Sequence, residues 1–183
     1  MDKNCMKSNR DDIKLLIPDV ERDAVLALGW FDRPEGRQTL LSMGNAEHEI
    51  TVPTIEGEKE TIRQFIQLES YNKQITRMIS VDNKTIGAVW IELYHNHSVQ
   101  APSIHIIIGS PEYRGRGIGA SVMKSAIDYA NKVLGYQTIY SRHLVNNQAI
   151  AAVNKTLGFK DDGASYTDNN GLVWQNVKLN QLL

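Results

Sequence analysis

Apolar and polar positions divide the chain into short extended runs and longer helical stripes. Residues 13–17 (IKLLI) form an apolar run closed by Pro18, which predicts a first strand. Residues 19–29 space Val20, Val25, Leu26 and Leu28 as a helix does, with acids in the first turn and Gly29 as the expected stop. From 30 to 53 the pattern is irregular, with one helical stretch near 36–43. Residues 54–71 carry a clearer stripe of Ile62, Phe65, Ile66 and Leu68, preceded by Glu56, Glu58 and Glu60 where a helix N-terminus favours acids. Two extended runs, 75–81 and 84–94, flank Asp82-Asn83 and predict a hairpin. Residues 103–109 (SIHIIIG) are apolar at nearly every position, as in a central strand buried on both faces. A helix follows over 115–134, with Ile118, Val122, Ala126, Tyr129, Ala130 and Val133 facing inward. A strand over 137–140, a helix over 147–157 stopped by Gly158, and two strands over 159–166 and 172–179 complete the chain. Asn170-Gly171 marks the turn between the last two. This order predicts one mixed α/β domain over 1–183.

Composition narrows the class. The 183 residues carry 20 basic and 21 acidic side chains, a net charge of −1, and 42% of them are apolar. Nothing in that balance draws the chain to nucleic acid or to an anionic membrane. No apolar run approaches the roughly 20 residues of a membrane helix, and residues 1–12 are too polar for a secretory signal. Cys5 alone forms neither an internal disulfide nor a thiolate cluster, which fits a reducing compartment, so a cytoplasmic protein is expected. The charge is divided: residues 1–100 hold 12 basic and 16 acidic side chains, residues 101–183 hold 8 and 5. The second part is therefore the one expected to meet an anion.

That part contains the segment richest in chemistry, Ile106-Ile107-Ile108-Gly109-Ser110-Pro111-Glu112-Tyr113-Arg114-Gly115-Arg116-Gly117-Ile118-Gly119-Ala120. A buried strand ends, the chain turns, and three alternate glycines open a helix. Glycines allow close approach of the backbone, and free amides at a helix N-terminus favour phosphate or pyrophosphate. Gly115-x-Gly117-x-x-Ala120 formally satisfies the dinucleotide fingerprint. That reading requires an acid after the next strand, where this chain has Ser141-Arg142, and about 60 residues after the loop are too few for a doubly wound domain. A P-loop is excluded because no Gly-Lys-Ser/Thr follows.

Arg114-x-x-Gly117-x-Gly119, after a strand and at the head of a long helix, resembles the acetyl-CoA pyrophosphate loop of the GNAT-type N-acetyltransferases. Asn147, Asn154 and Leu157-Gly158-Phe159 stand as in the Asn…Leu-Gly-Phe segment of the same superfamily. The resemblance covers about 106–159 and implies a GNAT-like α/β fold, a mixed and mostly antiparallel central sheet flanked by helices. It implies an acceptor-side half over about 13–100 and an acetyl-CoA-binding half over 101–183. Acetyl-CoA would be the cosubstrate, its acetyl group passing to a primary amine. The main chain of Ile106, Ile107 and Ile108 would pair with the pantetheine arm. The amides of Arg114, Gly115, Arg116, Gly117, Ile118 and Gly119, with Ala120 in the same turn, would hold the pyrophosphate. Asn147 would hydrogen-bond the pantetheine. Family members often place a tyrosine where this chain has Asn154, and an amide cannot protonate a leaving thiolate; the resemblance to members with an asparagine at this position implies that Asn154 contacts the coenzyme. Many relatives pair through edge strands, so a homodimer is a further expectation.

An ammonium must lose a proton before it attacks a thioester. Glu92 and His105 are the candidate bases, with His143 a weaker third. His95-Asn96-His97 lacks a third ligand and no metal is expected. Trp30, Phe31, Trp90 and Tyr94 are candidates to line the acceptor pocket, or else to pack in the core. The acceptor is a small amine or a protein N-terminus; a binding module of the same fold without catalysis is the alternative.

Overall fold

The structure is a computed structural model that describes residues 6–95 and 99–180. Its strands are β1 (Ile13–Leu16), β2 (Gln74–Val81), β3 (Lys84–Glu92), β4 (Ser103–Ile108), β5 (Thr138–Leu144), β6 (Lys160–Asp161), β7 (Tyr166–Thr167) and β8 (Val173–Asn180). They make one sheet in the order β1-β2-β3-β4-β5-β8-β6, with β7 also on β8. Every pairing is antiparallel except β4 with β5. The helices are α1 (Val20–Phe31), α2 (Pro34–Ser42), α3 (Ile55–Ser70), α4 (Ile118–Lys132) and α5 (Gln148–Thr156). None of the described helices is long and apolar enough to cross a membrane.

The apolar run of β4 is explained by cores on both sides of the sheet. Ile104 and Ile106 join Val89, Ile91 and the inward side chains of α4, Ile118, Val122 and Ala126. Ile107 faces the other way, with Met78, Ala88, Ala27 and Trp30 beneath α1 and α3. Local signals set the element ends. Asp19 Oδ1 accepts the amide of Arg22 at 2.8 Å, and Thr54 Oγ1 that of Gly57 at 3.1 Å, so each caps its helix. Asp82 and Asn83 both adopt positive φ, 51° and 61°, as a two-residue hairpin requires.

Four boundaries differ from the pattern in the sequence. Helix α1 continues through Gly29 to Phe31, because Trp30 is buried and tertiary packing outweighs the low helix propensity of glycine. Strand β3 stops at Glu92 and leaves Tyr94 41% exposed. Strand β5 continues to Leu144, paired with β8 along its whole length, so Ser141, Arg142 and His143 lie in a strand. The expected strand over 159–166 is instead two short pieces, β6 and β7, separated around Gly163 at φ 84°.

One junction positions everything that follows. β4 and β5 share a single register pair, Ser103 with Tyr140, supported by the Tyr140 amide on Pro102 O (2.9 Å) and Ser141 Oγ donating to Ile104 O (2.9 Å). Beyond it β5 stays with β8 and β4 with β3, so the two strands part and the sheet opens as a V.

Candidate active site

The opening of the V exposes one edge of β4 over Ile106 to Ile108, an array of main-chain groups of the kind that accepts an added strand. The edge leads to the N-terminus of α4. Gly117 caps this helix at φ 73°, a conformation that favours glycine, and a Cβ there would project into open space. The first amide to reach a backbone acceptor is that of Ser121, on Gly117 O at 3.1 Å; those of Ile118, Gly119 and Ala120 have none among the described residues. They line, with Ile106 to Ile108, Tyr113, Arg114, Asn147 and Ile150, a cleft of about 450 Å³.

The loop arginines play a different part from the one their charge suggests. Arg114 Nε donates to Ile108 O at 2.8 Å, and its Nη2 to Thr39 Oγ1 at 2.8 Å and Gly109 O at 3.3 Å. The guanidinium thus ties the end of β4, the loop and α2 together. Arg116 stacks on Tyr113, 5.2 Å from the ring centroid, and its carbonyl accepts Arg10 Nη1 at 3.1 Å. Local positive charge remains, while the groups aimed into the cleft are the helix-end amides.

Asn147 stands where the cleft meets a second, smaller chamber. Its Oδ1 caps α5 through the amide of Ile150 at 3.3 Å, and its Nδ2 donates to Ser42 O at 2.9 Å, which joins α5 to the end of α2. Asn154 stands elsewhere. It is 2% exposed, lines neither cavity, and places Nδ2 3.2 Å from His143 Nδ1, a hydrogen bond in the tautomer that leaves Nδ1 bare. Its Oδ1 is buried without a partner among the described residues.

The second chamber, about 170 Å³, gathers Glu92, His105, Arg142, His143, Trp90 and Trp174. Register brings the first two together: Trp90 pairs with His105 and Glu92 with Ser103, so all four share one face of the sheet. Ser103 Oγ lies 3.0 Å from His105 Nε2 and 3.5 Å from Glu92 Oε2, and Nε2 is 3.7 Å from that same oxygen. The His105 ring stacks under Trp90, with centroids 5.4 Å apart. Burial raises the pKa of Glu92, but hydrogen bonds and charge from His105, the Trp90 indole and Arg142 outweigh it and hold the carboxyl below its ordinary range. Burial lowers that of His143, with Asp161 opposing.

Arg142, Ser103 and Trp174 were not singled out from the sequence. Trp174 forms the far wall: Arg142 lies over its ring at 4.2 Å, and its Nε1 donates to Asp168 Oδ2 at 2.8 Å. Of the four aromatics expected at an acceptor pocket, Trp90 lines this chamber and Trp30, Phe31 and Trp90 line an adjoining one; Tyr94 lines neither. Cys5 and His97 lie outside the described residues.

Comparison with known proteins agrees with this architecture. Residues 15–160 match the family model for the acetyltransferase (GNAT) domain. No curated protein sequence matches significantly. Among solved structures, the chain is similar to the microcin C7 self-immunity acetyltransferase in complex with acetyl-CoA and AMP, at 18% identity and a TM-score of 0.77, over 93% of each chain. It is also similar to the ribosomal-protein-S5-alanine acetyltransferase of Vibrio fischeri (20% identity, TM-score 0.74, 94% of this chain and 95% of that one). A third is the spermidine N-acetyltransferase of Vibrio cholerae in complex with CoA and spermine (16%, 0.71, 94% and 97%). At these identities the structural likeness speaks for the fold.

Proposed function

The chain belongs to the GNAT acetyltransferase family, and from that premise we propose that it transfers acetyl from acetyl-CoA to a primary amine by direct attack. Its class is acetyl-CoA-dependent acetyltransferase; the acceptor, the direct route and the residue roles are our reading. The observation that carries it is one continuity: the open edge of β4 runs from free helix-end amides at Gly117 to Ala120 down to the chamber of Glu92 and His105.

The residues fit the coenzyme. Unpaired amides at the head of α4, with space above Gly115 and Gly117, suit a pyrophosphate. The edge of β4 at Ile106 to Ile108 from which β5 has parted, with Ile108 O held by Arg114, suits an amide-bearing arm. Acetyl-CoA supplies an activated thioester; the protein's work is to orient, to move a proton and to polarise. A main-chain amide of Ile106 to Ile108 would donate to the acetyl carbonyl as charge develops on its oxygen. Glu92, kept ionised, draws the acceptor's ammonium into the chamber. His105 takes the proton, its ring presented to the chamber by the Ser103 hydroxyl and the Trp90 stack. Asn147 holds the two cavities in register, and Asn154 supports His143 from behind the chamber wall. In this reading residues of about 13–100 supply the acceptor side and 101–183 the coenzyme side.

Direct attack rests on the lack of a suitable nucleophile: Cys5, the single cysteine, lies in the polar N-terminal stretch. Amine-stimulated thiol release from acetyl-CoA, read with product mass, tests the reading. Release with acetylated amine is expected and Cys5→Ala should retain it. Tight acetyl-CoA binding without amine-stimulated release would overturn catalysis on amines.

A further inference from the structure

A third cavity, of about 360 Å³, lies beneath α1, α2 and α3 and adjoins the reaction chamber through Met43 and Trp90. Its walls are largely apolar: Trp30, Phe31, Ile62, Phe65 and the outer face of Trp90. Trp90 is the partition between the two. Its ring stacks on His105 on one side, and on Phe65 on the other with centroids 6.3 Å apart and planes at 22°. Trp30 is seated hard against Gly109, where a Cβ would clash with the ring, so this wall is fixed from the end of β4. Within that apolar lining stand two carboxylates. Glu49 is engaged, accepting from the Ala46 amide at 3.0 Å and from Asn170 Nδ2 at 3.3 Å. Glu58 is half-buried in the first turn of α3; its amide donates to Thr54 O at 3.0 Å, while its carboxylate has no hydrogen-bond or ion-pair partner among the described residues. Burial raises its pKa, as expected for a carboxyl that gives up water without gaining a partner.

The volume falls within the roughly 300–1,000 Å³ of small-molecule sites and admits one ring-sized group. We propose that this cavity selects the acceptor amine: it takes a compact, preferably aromatic body of the substrate, and sets a second cationic group of that substrate against Glu58. The proposal rests on the amine-transfer reading above and adds the chemical class of the amine. The reacting nitrogen lies in the chamber beside His105, the ring of the substrate packs with Trp30, Phe65 and Trp90, and the far cation gives the Glu58 carboxylate the partner it lacks among the described residues.

The test compares three acceptors: an arylalkylamine with a second amine across the ring, the same compound without that amine, and a linear diamine of equal length. The aryl diamine is expected to show the highest kcat/KM. Glu58→Gln should raise its KM about tenfold, the worth of one charge-assisted hydrogen bond, and leave the aryl monoamine and acetyl-CoA unchanged. Thr61→Trp, at an exposed helix position lining the cavity, should impair both aryl amines and spare the linear diamine. Equal use of the three acceptors, a Glu58→Gln effect shared by the aryl monoamine, or preference for a peptide N-terminus over all three would overturn the proposal while amine transfer stands. If none of these amines or peptides releases thiol from a protein that binds acetyl-CoA, the transfer reading itself fails as well.

Discussion

Glu92, Ser103 and His105 are three ordinary residues that become a site through cross-strand register, and their roles separate in kinetics. His105→Gln should lower kcat by about a hundredfold or more, within the usual worth of a general base, and leave the acceptor KM nearly unchanged. Glu92→Gln should chiefly raise the acceptor KM. The reverse pattern in steady-state kinetics would assign the base to Glu92. Stability should report the same pair. The folded-state pKa of Glu92 is depressed, so its contribution is present above the unfolded pKa and lost as pH falls through the folded one. Melting curves of wild type and Glu92→Gln should therefore converge as pH drops below the ordinary carboxylate range; a constant difference would contradict the assignment. Both residues stand in the sequence as candidates, but their proximity does not. It depends on Trp90 pairing with His105 across a connection whose length fixes no register. Arg142 and Trp174 carry no mark in the sequence for the same reason, since they meet the chamber through the pairing of β5 with β8. Asn154 shows the converse: the motif singles it out, while helix phase turns it toward His143 and away from the cleft.

At the level of elements, the V between β4 and β5 is the feature that makes a site out of a sheet. Ser141 fastens its base, its buried Oγ donating to Ile104 O. Ser141→Ala should cost about 1–2 kcal/mol by leaving that carbonyl short of a donor, read by denaturant unfolding, and should raise the KM for acetyl-CoA as the cleft loosens. Asn147→Ala removes the cap of α5 and its tie to Ser42, for a loss of about 1 kcal/mol in the same measurement. Most strands, helices α1, α3, α4 and α5 and the glycine-rich entry to α4 are legible because periodicity, caps and turn residues agree there, whereas α2 lies in an irregular stretch and has no side-chain cap. The extent of β5 was not. Ser-Arg-His carries no strong strand pattern of its own, and pairing with β8 extends it. The break between β6 and β7 follows from Gly163, an isolated signal within an otherwise plausible strand.

For the molecule as a whole, a net charge of −1 conceals a division of labour. The basic C-terminal part carries the loop assigned to a polyanionic coenzyme, yet the Arg114 guanidinium is engaged by two carbonyls and a threonine, so the partners proposed for the anion are the main-chain amides. The acidic N-terminal part supplies Glu92 and Glu58, which face the side assigned to a cationic acceptor. Each of the three cavities draws lining residues from both parts. The most direct measurement is amine-dependent thiol release from acetyl-CoA by wild type and Gly117→Asp side by side, with melting temperatures as the folding control. Gly117→Asp puts a side chain and a negative charge into the space over the helix-end amides, at a backbone angle that already disfavours one. Release by wild type is expected, and none by a folded Gly117→Asp protein that no longer binds acetyl-CoA. Undiminished release by that variant, or no release by wild type with any amine, would contradict that expectation.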